Sequence, residues 1–194
     1  MSRQQQEFRR AMAMLVIAGQ HADGGSLDQA RRLLPTAVRD GKLEERGHED
    51  GLLLRDVVQI KINFKARPRT AAEVVRELRK ALQRLGRVRD KTSREQISAQ
   101  CESIMLLLPH VAEIRRLLDE ASKLVGRSQY IAAFTLLKKA QTTQRQNADI
   151  TPQVITVQIE GARAESMIHI MENQGTTAVA IVNDLMRRGL IEKK

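Results

Sequence analysis

Apolar residues recur at three- and four-residue intervals along most of this chain, the spacing that lines one face of an α-helix. Phe8, Ala11, Met12, Leu15 and Val16 form such a face, and Ser2 stands where it can cap a helix over residues 3–18. A turn follows at residues 21–25. Ser26 and Gln29 then have the spacing of a capping box ahead of Leu27, Ala30, Leu33 and Leu34, and Pro35 is expected to interrupt that second helix. Residues 41–51 are polar, mixed in charge and bounded by glycines, which reads as a surface loop and a domain boundary.

The period then changes. Val58, Ile60, Ile62 and Phe64 alternate with Gln59, Lys61, Asn63 and Lys65, the two-residue period of a half-buried strand. A lone strand leaves its backbone groups unpaired, so this one calls for residues 52–57 or a second copy of the chain as its partner, and the latter implies a homodimer. Helical spacing returns at Thr70, with Ala71, Val74, Val75, Leu78, Ala81, Leu82 and Leu85 on one face and Gly86 as the stop. A further helix is predicted from Ser93, carrying Ile97, Cys101, Ile104, Met105 and Leu108. Pro109 opens the next, which Gly126 ends. Ser128 is placed to cap another helix running to about Asn147. The pair Thr151–Pro152 opens a segment reaching Glu172, whose start, with Val154, Ile155, Val157 and Ile159, suits helix or strand. Thr176 or Thr177 caps a last helix, which Gly189 terminates with Leu190 folded back in a Schellman ending.

The predicted fold is mainly α, a helical bundle or stacked helical hairpins with one short β element near residues 57–64. Two regions are expected: an N-terminal helical region, 1–51, and a main helical domain, 52–194, holding a basic helix, a helical hairpin and the C-terminal helix. Aromatic residues make up 2% of the chain, so its core must be built from Leu, Ile, Val, Ala and Met, which suits helix packing. The same scarcity disfavours single-strand binding by base stacking. The one cysteine, Cys101, cannot form an internal disulfide and has no Cys/His cluster around it for zinc. No run approaches the roughly 18 apolar residues of a membrane span, so no integral membrane segment is expected. Residues 11–18 are too short an apolar stretch for a signal peptide, and the expected location is cytoplasmic.

Charge changes the picture most. The formal net charge is +10, which attracts polyanions over a distance. The basic residues are densest at 65–94. Arg76, Arg79, Lys80 and Arg84 fall opposite the apolar face of the helix that starts at Thr70, and Arg67, Arg69, Arg87, Arg89 and Lys91 flank them. Arginine suits bidentate contact with phosphate, so these nine residues are the candidate nucleic-acid-binding set, for DNA or RNA. The strand, helix, glycine turn and second helix together resemble the ribbon-helix-helix family, a likeness that implies Gln59, Lys61 and Asn63 facing bases.

Residues 177–193 resemble the recognition helix and first wing strand of a winged helix-turn-helix, with Val179, Val182, Leu185, Gly189, Leu190 and Ile191 at that family's apolar and glycine positions. The resemblance implies that Thr176, Asn183 and Arg187 approach DNA. Leu117, Ala121, Leu124, Tyr130, Ala133, Leu137 and Ala140 are similar to a single tetratricopeptide repeat, which implies a hairpin at 110–147 able to receive a protein partner. An adaptor or assembly role is therefore the alternative to nucleic-acid association.

No enzyme motif is present: no P-loop, dinucleotide fingerprint, nucleophile elbow or HExxH. His21, His48, His110 and His169 are scattered, Cys101 falls on an apolar helix face, and Glu44, Glu45, Glu49 and Asp50 read as a solvated loop. No catalytic residue, metal ligand or cofactor is assigned.

Overall fold

The structure, a computed structural model, describes residues 2–67, 71–173 and 178–191, the side chains of 173 and 178–181 apart. All its regular elements are helical. Among the described residues these are α1 (Arg3–Asp23), α2 (Leu27–Asp40), α3 (Glu49–Ala66), α4 (Ala71–Leu85), α5 (Lys91–Met105), α6 (Pro109–Val125), α7 (Tyr130–Gln146), α8 (Gln153–Asn173) and α9 (Ala178–Arg187). A single 3-10 turn, Ala148–Ile150, joins α7 to the segment before α8. The helices form two compact units, Met1–Met105 and Leu106–Lys194, and Gly51 lies inside α3 rather than between units.

Local chemistry explains most of the boundaries. Ser2 and Gln5 form a reciprocal capping box at the start of α1. Ser26 precedes α2 without a side-chain cap bond, so the capping box expected there is absent. Pro35 does not interrupt α2 either. The helix continues to Asp40 because Ala30, Leu34 and Ala37 on either side of the proline are buried against α1 and α3, and that packing outweighs one lost backbone bond. Asp90 rather than Ser93 caps α5, its Oδ2 accepting from the Ser93 N–H at 2.7 Å. Pro109 begins α6, Gly126 follows its end, and α9 closes in the expected Schellman geometry, with Leu190 N–H donating to Leu185 O and Gly189 N–H to Met186 O.

The β element near residues 57–64 is the main correction. Those residues lie within α3, and no strand occurs among the described residues. Helix α3 packs against α1, α2, α4 and α5, so it is enclosed on nearly every side. Leu53, Leu54, Val57, Val58, Ile60 and Ile62 are all buried, and an apolar residue at almost every position reads as alternation when Gln59, Asn63 and Lys65 happen to fall at odd numbers. With the strand goes the likeness to ribbon-helix-helix proteins, since Lys61 is fully buried in α3 and cannot face a base.

In the second unit α6 and α7 form the expected hairpin, closed by Ala121, Ala133 and Leu137. Helix α8 lies along it as a continuous helix from its first residue, so the strand alternative for residues 154–159 also fails. Ile155 and Ile159 pack with Val111, Ile114, Leu117 and Ala140. Further along, Met167 and Ile170 meet Phe134, Leu185 and Leu190.

Candidate nucleic-acid interface

Helix α4 has the plainest division of faces in the first unit. Val74, Leu78 and Ala81 are buried, while Arg76, Arg79 and Lys80 are exposed. Arg76, Lys80, Gln83 and Arg87 follow one line along the outside, because intervals of four, three and four residues keep to one side of a helix. The line runs past the end of α4, as the Gly86 N–H still donates to Leu82 O and the Arg87 N–H to Arg84 O. Arg87 and Arg89 are exposed too.

Not every candidate cation is available. Arg84 Nη1 lies 2.8 Å from Asp56 Oδ2 and its Nη2 is 3.7 Å from Glu49, so it ties α4 to α3. Asp56 is shared with Arg55, whose Nη2 approaches at 2.7 Å while its Nη1 reaches Glu44 at 3.0 Å. Burial alone would lower the Arg55 pKa, but the hydrogen bonds to Asp56 and Glu44 outweigh it and raise the value. Lys91 is exposed and faces Glu95 one turn on at 3.8 Å. Arg67 is exposed just after α3, where its backbone N–H donates to Asn63 O. Arg69 lies outside the described residues.

Two other cations of the basic segment serve the fold. Lys65 Nζ donates to the carbonyls of Ala22 at 2.9 Å and Asp23 at 2.8 Å, capping the C-terminal end of α1. Arg94 grips the Val88 carbonyl, with Nε at 2.9 Å, and so fixes the turn between α4 and α5.

Two clefts border this face. One, of about 600 Å³, is lined by Arg31, Asn63, Ala66, Arg67 and Glu77, and so brings Arg31 of α2 beside Arg67. Arg31 escaped sequence reasoning because it is far from the basic segment along the chain and is paired with Asp28 at 3.2 Å. The other, of about 370 Å³, places Arg84 and Arg87 with Glu49 and Asp50. Burial, with Asp90 and Glu49 nearby, raises the Asp50 pKa. The acidic pair tempers the positive charge at the α4 C-terminal end, and Glu73 and Glu77 stand within three residues of Arg76 and Lys80 on the same helix.

No group of three or more metal-ligating side chains that could hold an ion occurs among the described residues. Cys101 is buried, and desolvation raises its thiol pKa to about 12, so it is not a nucleophile at neutral pH. No described helix is long and apolar enough to cross a membrane. In α9, Asn183 and Arg187 are exposed, but Arg187 pairs with Asp184 at 2.7 Å; Thr176 lies outside the described residues. No family model, no characterised protein and no solved structure matches the chain.

Proposed function

We propose that this is a non-enzymatic nucleic-acid-associated protein that contacts the phosphate backbone of DNA or RNA through the outer line of α4. The observation that carries the reading is the exposure of Arg76, Lys80 and Arg87 along one side of a helix whose other side is buried. Composition supports it. Residues 65–94 hold eleven Lys and Arg against three Asp and Glu, an excess of eight within a chain whose net charge is +10. Such a surface attracts polyanions without reading sequence, because phosphate contacts position a protein and base contacts specify it.

The test is fluorescence anisotropy with labelled duplex and single-stranded oligonucleotides at about 50 mM and about 200 mM salt. Binding should fall steeply with salt, and each phosphate contact removed should lower the log–log salt slope by about 1. The variant Arg76→Gln/Lys80→Gln/Arg87→Gln should therefore bind more weakly on every sequence, with a slope smaller by about 3. Undiminished affinity in that variant, or no binding in dilute buffer, ends the proposal.

A further inference from the structure

Helix α8 carries two apolar faces, and only one is used. The inner face, with Ile155, Ile159 and Ile170, is buried in the second unit. The outer face consists of Val154, Val157, Gly161, Ala164, Ile168 and Met171, all of them exposed. Their spacing alternates three and four residues without a break, which is the a/d pattern of a coiled-coil seam. The four large members are open to solvent to the extent of 54% (Val154), 56% (Val157), 53% (Ile168) and 43% (Met171). Large apolar side chains at successive seam positions mark an interaction surface in a way that scattered ones do not.

Gly161 adds a separate observation. It sits in the middle of a long helix, where glycine costs about 1 kcal/mol relative to alanine. Nothing inside the protein demands it, because a Cβ at that position would meet no atom within 4 Å. With Ala164 it leaves a hollow of small residues halfway along the seam, open to a side chain from a facing helix.

The charges beside the seam say what kind of helix that is. The flanking positions on one side are Gln158, Glu165 and Glu172, and on the other Gln153 and Glu160, with Met167 the remaining one. The five polar residues among them are exposed, and not one flanking position is basic. Two copies paired through this seam, in either orientation, would set glutamates against glutamates, glutamines or Met167, so self-pairing gains no charge complement. An anionic membrane surface meets the same objection. We infer that the outer seam of α8 is a docking site for an amphipathic helix of a partner protein whose own apolar stripe is flanked by Lys and Arg. This surface belongs to a different helix from α4 and from the α6–α7 hairpin.

The experiment uses the full chain and two synthetic three-heptad helical peptides with identical apolar seams, one with Lys and the other with Glu at every flanking position. Affinities are read by anisotropy for the wild type and for the variant Val157→Asp/Ile168→Asp. Both substituted residues are exposed, so the variant should keep the wild-type circular dichroism spectrum and melting temperature. The Lys-flanked peptide should bind the wild type about tenfold or more tighter than the variant, against the repulsion of a protein whose net charge is +10. The Glu-flanked peptide, which that net charge attracts elsewhere, should bind both proteins alike. Equal affinity of the Lys-flanked peptide for both proteins overturns the proposal. So does a wild-type dimer in sedimentation equilibrium that the variant loses, which would give the seam to a second copy. Binding to phosphatidylserine-containing vesicles that the variant loses would give it to a membrane. If the variant does not fold, Gly161→Leu, which fills the hollow, replaces it with the same outcomes.

Discussion

Lys61 Nζ lies 2.9 Å from Asp23 Oδ2 while the lysine side chain is wholly excluded from solvent. Its second partner is Gln100 Oε1 at 2.5 Å, so one ammonium joins α3 to the end of α1 and to the middle of α5. The two members of the ion pair should respond unequally to mutation. Asp23→Ala leaves a buried charge with a single neutral acceptor, a loss of about 3 kcal/mol. Lys61→Met removes the charge with its desolvation penalty and leaves the Gln100 amide short of a partner, while the half-exposed Asp23 carboxylate keeps water and Lys65 beside it, a loss of about 1 kcal/mol. Urea denaturation of both variants measures the ordering.

The same lysine gives stability a pH dependence in the alkaline range. Burial lowers the Lys61 pKa below its usual 10.5, although Asp23 opposes the shift. A lowered lysine pKa means that the folded state holds its proton less tightly than the unfolded state does. The penalty is present below the folded pKa and is relieved as pH rises from there towards 10.5, so this residue makes stability increase across that window. Lys61→Met should remove that component, seen as a flatter plot of unfolding free energy against pH just below 10.5 than the wild type gives.

The burial of Lys61 also marks where sequence patterns stop being informative. Helix ends were legible where one residue decides them: Pro109 before α6, Gly126 after it, and the Gly189–Leu190 closure of α9 are local chemistry. Helix α3 was not legible, because over residues 57–64 its exposed polar stripe is reduced to Gln59 and Asn63 and the buried Lys61 falls between them, which gives the letters a two-residue period. The start of α8 misled in a related way. Val154 and Val157 belong to one face and Ile155 and Ile159 to another, and the two interleaved stripes look like a strand. For the candidate interface, the density of cations was plain in the sequence. Which of them are engaged inside the fold was not, since Arg84 finds Asp56 across 28 positions and Lys65 finds the end of α1 across more than 40.

Arg84 therefore separates the structural cations from the binding ones. Arg84→Gln should leave oligonucleotide affinity far closer to wild type than the loss of Arg76 or Lys80 does. It should instead destabilise the α3–α4 contact by about 0.5 to 1 kcal/mol, a modest figure because both partners of the Asp56 bridge are partly solvated. A double-mutant cycle with Asp56→Asn should give a coupling of that size, and an affinity loss equal to that of Arg76→Gln would return Arg84 to the interface.

Cys101 provides a probe of the first unit's opening. The residue is 1% exposed and its pKa is pushed up to about 12, so thiolate is scarce and shielded at neutral pH. Reaction with a thiol reagent at pH 8 should be slow in the native protein and complete within minutes in denaturant. Asp23→Ala should accelerate the native reaction by raising the population of open molecules, since Lys61 and Gln100 help hold α1, α3 and α5 together.

Two helical glycines should answer the same substitution with opposite signs. At Gly161 nothing stands within 4 Å of a new Cβ, so Gly161→Ala should raise stability by about 1 kcal/mol through helix propensity alone. At Gly19 the methyl would fall on the side-chain amide of Gln100, the group that accepts from Lys61. The same propensity gain is then set against displacement of a charge-assisted hydrogen bond worth about 1.5 to 3 kcal/mol, and Gly19→Ala should lower stability by about 1 kcal/mol. The explanation makes a second demand. In a Gln100→Ala background the obstructing amide is gone, so Gly19→Ala should turn neutral or stabilising there; a penalty that survives in the double variant would place the obstruction in the backbone of α1 and α5 instead of in the Lys61–Gln100 contact.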